Sequence, residues 1–361
     1  MLFPLLEETL GELPEEYKRL ASILELVRIE EFIPCSKFNM GRQPKDRSAI
    51  ARSYIAKIVL KLTHTKQLVK QLKTDKQLRA ICGWNNARHV PSEAKFSRAF
   101  KEFSSLCISE RAHQALIKSA YEDEIVLHVV KDSTPLEVRE KALEKGSAKE
   151  RKKLRDRTRR AQKRSGEPNR RQKQLQEQNL DTMLQELPKQ CDRGMKKDSN
   201  GYTKIWKGYK LHAAVDDNCI PLAVIITAAS LHDCEAAIPL AVKSNQVATN
   251  LYDLMDAAYD HPEIEKHSFS LGHVPIIDKC PQNPTQKIEK ELEKERKKIL
   301  NFETATDKRY KERLPKERFN ALYKDYYGGR NIFYRGHSKV SCHVMFGVLV
   351  VTALTLIKLS L

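Results

Sequence analysis

Hydrophobic positions in the first third of the chain recur at helical spacing. In "RSAIARSYIAKIVLKLT" apolar residues return every third or fourth position, which predicts an amphipathic helix. "HTKQLVKQLKTDKQLRAICGW" follows as two short amphipathic pieces, with Thr74 and Asp75 between them as cap-like residues. A further helix is expected in "HVPSEAKFSRAFKEFSSL" after Pro91 and Ser92, residue types suited to a helix start. Short helices joined by turns are therefore expected over residues 1–120. Lys and Arg on their outer faces suit a helical DNA-binding domain, or equally a plain bundle with a basic surface.

The texture changes at "EIVLHVVKDST", where Ile125 to Val130 is a β-rich apolar run that ends on a charge and predicts a buried strand. Residues 139–200 form a strongly polar insertion whose centre, "KERKKLRDRTRRAQKRSGEPNRRQKQ", has almost no apolar periodicity. Such a segment is expected to be a solvated helix or a flexible stretch that orders on nucleic acid. Strand texture returns in "WKGYKLHAAVDDNCIPLAVIITAAS", two β-rich runs flanking "DDNC" as in an antiparallel hairpin. "LHDCEAAIPLAVKSN" predicts a helix, "NLYDLMDAAYD" a strand, "HPEIEKHSFSLG" a helix and "HVPIID" a fifth strand. A charged helical stretch at 284–300 and an apolar C-terminal helix complete the pattern.

Three locally joined strands followed by two separated by helices is the element order of a ribonuclease-H-like α/β fold, a mixed five-stranded sheet flanked by helices. The expected division is a helical domain at 1–120 and an α/β domain at 121–361, interrupted by the insertion.

Composition narrows the functional classes. At 361 residues and 40% hydrophobic content the chain can bury a large core, which excludes disorder as its main state. A formal net charge of +18 favours a polyanionic partner, most simply nucleic acid, against an anionic membrane or a basic surface that binds nothing. The eight cysteines are scattered without a C-x-x-C pair, which speaks against a zinc ribbon or a secreted disulfide framework and suits a reducing cytosol. "MLFPLLEETLGELPEE" lacks the basic start of a signal peptide. "HVMFGVLVVTALTLIKLSL" approaches spanning length, but it contains Thr352, Thr355 and Lys358 and is expected to be a buried helix, so no membrane partner is expected. The expected location is the cytoplasm.

Candidate chemistry lies in acids that local structure does not require. Asp132 follows the first apolar strand, while Thr134-Pro135-Leu136-Glu137 reads as a capping box able to start a helix without it. Asp256 follows a strand in "LMDAAYDHPEI", where Asp260-His261-Pro262-Glu263 reads as the cap. Asp253 is a rival placed at the strand entrance. Asp216 and Asp217 suit the hairpin turn, and Asp233 suits a helix cap better than a metal ligand. Two aspartates on neighbouring strand ends suit a hard divalent cation. A two-metal site asks for a third acid, and "TDKRYKERLPKERFNALYKDYYGGRN" offers Glu303, Glu312 and Glu317. Pro315 fits the first turn of a helix there, with Glu317 and Lys324 on one face; Tyr310 and Arg313 fall within the same arc if the helix extends back through the proline, or else come from the preceding turn. A solvated charged helix face is the plain alternative.

Tyr310, Arg313, Glu317 and Lys324 keep every spacing of a Tyr-x2-Arg-x3-Glu-x6-Lys signature, and in this the chain resembles one branch of the DDE transposases of bacterial insertion sequences. "KDST" resembles that family's first aspartate block and "DAAYD" its second, and "YRGHSKV" with the apolar helix resembles its close. The resemblance runs from about residue 40 to the C-terminus, departing from the pattern at Pro315 and in the length of the insertion.

It implies a metal-dependent transposase in which Asp132, Asp256 and Glu317 hold two Mg²⁺ ions, with Mn²⁺ able to substitute. Tyr310, Arg313 and Lys324 would grip the DNA, double-stranded transposon ends and target, and a homodimer would handle two ends together. The implied function is binding of terminal inverted repeats, then strand cleavage and strand transfer. An inactive or domesticated DNA-binding derivative, and a nuclease without strand transfer, are the competing readings.

Overall fold

The computed structural model describes residues 3–34, 45–122, 124–143, 153, 156–157, 165–197, 201–281, 283–330 and 332–360. The chain forms two compact units, one from Met1–Ala120, Leu136–Glu140 and Phe319–Leu361, the other from Tyr121–Pro135 and Lys141–Arg318.

The first unit is helical: α1 (Phe3–Leu10), α2 (Glu15–Val27), α3 (Arg47–Val59), α4 (Thr65–Thr74), α5 (Lys76–Ile81), α6 (Glu93–Ser105) and α7 (Ile108–Ala120), with His337–Leu359 as its last helix. The helix starts follow local chemistry. Asp46 accepts the N–H groups of Ser48 and Ala49 at the head of α3. Asp75 caps α5 by accepting the Leu78 N–H at 2.9 Å and also takes the Tyr17 hydroxyl at 2.5 Å, so one short side chain both breaks the α4–α5 run and ties it to α2.

The helix His337–Leu359 is long and apolar enough to cross a membrane, yet 78% of its most apolar window is buried inside the protein. Its Phe346, Leu349, Val350 and Ala353 share a core with Leu20, Ile50, Tyr54 and Phe100. The Tyr54 ring lies 4.8 Å from that of Phe100 and 6.0 Å from that of Phe346. A helix apolar on every face needs neighbours all round, and the N-terminal helices supply them. For this reason residue 120 does not divide the chain into two continuous domains: Phe319–Leu361 belongs with the N-terminal helices.

The second unit is built on a mixed sheet of six strands, β1 (Ile125–Glu137), β2 (Asp192–Lys197), β3 (Thr203–Val215), β4 (Pro221–Ala228), β5 (Thr249–Met255) and β6 (Val274–Ile277). Their order is β2-β3-β1-β5-β6, with β4 also paired to β3. β3 and β4 form the expected antiparallel hairpin, from Tyr209↔Ala228 to Val215↔Pro221. β1–β5 and β5–β6 are parallel. Helices Ala237–Asn245 and Pro262–Ser270 connect β4 to β5 and β5 to β6.

Two departures from the sequence expectation share one cause. The sheet has six strands rather than five, and the extra one, "DRGMKK", lies inside the polar insertion. The insertion also forms helices Arg170–Gln176 and Leu180–Glu186, and Met183, Leu187 and Cys191 are buried. β2 has no apolar alternation to read. It is held by pairing with β3 and by close approach at Gly194, where a Cβ would stand 2.3 Å from the Trp206 ring. Of the insertion's most basic stretch, 149–164, all but Lys153, Asp156 and Arg157 lies outside the described residues.

Candidate active site

β1 does not end before Asp132. The strand continues to Glu137, so Thr134 and Pro135 are extended and start no helix. Parallel pairing of β1 with β5 runs from Ile125↔Thr249 to Lys131↔Met255, which makes Asp132 and Asp256 the next neighbours across strands spaced about 4.8 Å apart. Alternation puts them on the face of Val130, Leu254 and Ile276, a cluster against which Tyr252 and Tyr310 pack.

The opposite face carries the rival acid. Asp253 is fully buried in mid-strand rather than at a strand entrance, and its carboxylate lies 2.7 Å from the buried Lys131 ammonium. It also accepts the Ser268 hydroxyl at 2.8 Å and the Asn250 amide at 3.0 Å. Asp253 is thus a structural counter-ion whose bonds lock β1, β5 and helix Pro262–Ser270 together.

Asp256 performs some capping after all. It accepts the Ala258 N–H at 3.0 Å and heads a short 3₁₀ turn, Ala257–Tyr259. Asp260 does not cap the following helix: it takes the Cys280 N–H at 2.8 Å, and His261 occupies the start of that helix. Burial, then the charge of Asp132, push the Asp256 carboxyl above its ordinary range, while the Ala258 N–H and the Arg313 guanidinium pull it down. Asp132 accepts the Ser133 N–H at 2.7 Å.

Asp233 also reaches this neighbourhood. It does not occupy the cap position, which falls to His232. Its carboxylate pairs with Lys210 at 2.8 Å, lies 3.9 Å from His212, and bonds the Ser133 side chain beside Asp132. Its charge bears on Asp256. The sequence signal for it was the alternation of Lys210 and His212 on one face of β3, two basic groups that ask for an acid.

The segment carrying the signature is broken where Pro315 suggested. Helix Ala305–Tyr310 ends, a 3₁₀ turn Lys311–Arg313 follows with Glu312 outside helical geometry, and helix Leu314–Tyr326 begins with Pro315 in its first turn. Tyr310 lies in the preceding helix and Arg313 in the turn. Arg313 donates to the Tyr310 hydroxyl at 2.6 Å, and the Arg309 guanidinium stacks 4.5 Å above the Tyr252 ring. These contacts seat the segment on the sheet face that carries Asp132 and Asp256.

Glu317 is exposed in the first turn of its helix, and Lys324 is half-buried in the part of that helix belonging to the helical unit. Among the described residues no three His, Cys, Asp or Glu side chains gather closely enough to hold a metal ion, so Glu317 is not joined to the two aspartates. Asp132 and Asp256 by themselves offer hard oxygen donors, a set that fits a divalent cation such as Mg²⁺, which takes one or two carboxylates and completes its shell with water and phosphate.

The family described as "Transposase DDE domain" matches residues 127–353, which include all six candidate residues. "Transposase domain (DUF772)" matches residues 7–102, most of the N-terminal helices. No curated protein and no solved structure matches the chain. With the DDE domain covering well over half of its length, the chain belongs to the DDE transposases of insertion sequences.

Proposed function

We propose that this chain is the transposase of its own insertion sequence, binding the terminal inverted repeats and catalysing strand cleavage and strand transfer. The observation that carries the reading is the placement of Asp132 and Asp256 side by side on parallel strands, with Tyr310 and Arg313 on the same sheet face. An antiparallel β3–β4 hairpin joined through β1 to parallel β5 and β6 supports a ribonuclease-H-like core, with β2 as an addition at its edge. The spacing of Tyr310, Arg313, Glu317 and Lys324 supports the branch with that signature.

Asp132 and Asp256 would hold two Mg²⁺ ions, with Glu317 as the third acid, and Mn²⁺ could substitute. The chemistry such ions would supply is neutralisation of phosphate charge and activation of the attacking oxygen. Arg313 presents a planar guanidinium to a DNA phosphate, and its Nε has no partner among the described residues. Tyr310 fixes that guanidinium by accepting its hydrogen bond and keeps its ring on the cluster below the acids. Lys324 adds a phosphate contact, the N-terminal helices read the repeat sequence, and the basic insertion supplies sequence-blind contacts. A homodimer brings two ends together.

Asp132→Asn, Asp256→Asn and Glu317→Gln are each expected to abolish cleavage and strand transfer on end DNA while binding persists. Full Mg²⁺-dependent activity from any one of them sinks the assignment. The exposure of Glu317, apart from the aspartates, favours a second reading: a transposase-derived protein that binds DNA without cutting it. Joining of cut ends into a plasmid by the unmodified chain excludes both that reading and a nuclease that only cuts.

A further inference from the structure

A pocket within the helical unit stands outside the acid site. It is lined by the end of α3 and by the turn that follows helix Leu314–Tyr326, and it encloses about 120 Å³. Its wall holds four cations, Lys57, Lys61, Lys324 and Arg330, against a single carboxylate, Asp325, which is bonded to Arg330 at 2.7 Å. The lining therefore keeps an excess of positive charge after its internal pairing.

Lys57 is only 3% exposed. Its ammonium lies 3.3 Å from the Tyr334 hydroxyl and 5.1 Å over the Tyr334 ring, neutral groups that balance a buried charge only in part. Burial brings its pKa down to about 8. The Lys61 ammonium sits 4.6 Å over the Tyr326 ring. His343, also in the wall, is kept neutral by burial and places its Nε2 against the Gly328 carbonyl, so it contributes no charge.

The turn is shaped to bring these groups together. Gly328 has φ +90°, and a Cβ there would lie 3.1 Å from the His343 ring; a Cβ at Gly329 would lie 2.6 Å from the Tyr323 ring. Only glycines let the chain pass this close, and their close packing carries Lys324 and Arg330 alongside α3. A pocket of this volume has room for a small anion such as one phosphate group.

We propose that this pocket binds a phosphate group of the duplex DNA backbone. The DNA source rests on the transposase reading; the anion site does not. The ligand adds the negative oxygens that Lys57 and Lys61 lack, and it joins Lys324 to α3 in a single phosphate contact.

The test uses the full chain carrying Asp132→Asn, so that binding is read without cleavage and a failure of the catalytic reading leaves it intact. Lys61→Asn suits the left-handed backbone at that exposed position (φ +55°), and Lys57→Met removes the buried charge while keeping the apolar stem. Thermal melting establishes that both variants are folded. Each is expected to reduce the slope of log K against log salt by about 0.9 and to weaken duplex binding about fivefold at moderate salt. Unchanged slopes in both variants overturn the proposal. Inorganic phosphate at constant ionic strength separates the sources: if it raises the melting temperature of the parent but not of the variants while the DNA slopes stay equal, the DNA assignment is overturned.

Discussion

Lys131→Met tests the pair that holds β1 and β5 in register. The Lys131 ammonium lies 2.7 Å from Asp253, with both side chains buried to 1% exposure or less. Removing one member of such a pair strands a carboxylate away from water, which costs about 3–5 kcal/mol. The Ser268 hydroxyl and the Asn250 amide still donate to Asp253. Hydrogen bonds to charged groups contribute about 1.5–3 kcal/mol each, so these set the expected loss at the lower end, about 3 kcal/mol. Adding Asp253→Asn removes the charge while retaining an acceptor for Ser268, and is expected to recover half of that loss or more.

The chain's two tryptophans divide between the units, Trp84 in the helical one and Trp206 on β3. In a Trp84→Phe background, urea unfolding followed by Trp206 fluorescence therefore reports the α/β unit. The pH dependence has a definite sign. Burial alone would raise Asp253, but the Lys131 ammonium and His273 hold it well below the ordinary carboxylate range. A depressed carboxylate contributes stability above its unfolded pKa of about 3.9, and that contribution is lost as pH falls toward the folded value. The gap between parent and Lys131→Met should therefore widen from pH 3 to pH 7. A loss under about 1 kcal/mol at pH 7, or a gap constant across that range, refutes the reasoning.

Asp216 gives the opposite slope: burial lifts it to about 6 against the pull of the Tyr121 hydroxyl and the Ile220 N–H, so its contribution is present below about pH 4 and is lost as pH rises through 6. Tyr121→Phe removes one stabilising donor and should extend that loss to higher pH in melting curves taken from pH 4 to 8. Gly347→Ala places a Cβ 2.4 Å from the Tyr327 carbonyl oxygen and should cost the helical unit about 1–3 kcal/mol, read from Trp84 fluorescence in a Trp206→Phe chain. Arg313→Gln removes a charge that pulls Asp256 down, so the acid limb of the pH–rate profile for end cleavage should move to higher pH; an unmoved limb separates Arg313 from Asp256.

Elements whose own residues declare their packing could be read from the chain. The hairpin around "DDNC", the helix ahead of β6 and the break at Pro315 all appear where periodicity and proline chemistry put them. The elements that were not legible take their stability from partners. β2 exists because β3 presents Trp206 to Gly194, and β1 runs on to Glu137, past the end of its pairing with β5 at Lys131↔Met255. The C-terminal helix could be read as buried, but not where, since uniform apolarity names no partner. At the site, cap counting singled out Asp132 and Asp256 from premises the fold does not keep: no helix starts at Pro135, and Asp256 caps a turn itself. Glu317 is singled out by its spacing to Tyr310, Arg313 and Lys324 alone. Asp233 reads as a helix cap because its partner Lys210 is distant in sequence.

The discontinuous helical unit has a consequence for synthesis and for damaged gene copies. Ser109 bonds Cys342 across 233 residues, and the helix between His337 and Leu359 fills a core whose other walls leave the ribosome first. The N-terminal helices thus have to wait for the whole α/β segment to be translated before they can close around their last helix. A frameshift or early stop anywhere in the α/β unit then also removes the helix that fills the core of the N-terminal helices. Truncated chains ending before His337 should be cleared by proteolysis, and the integrity of the reading frame is checked by the fold itself.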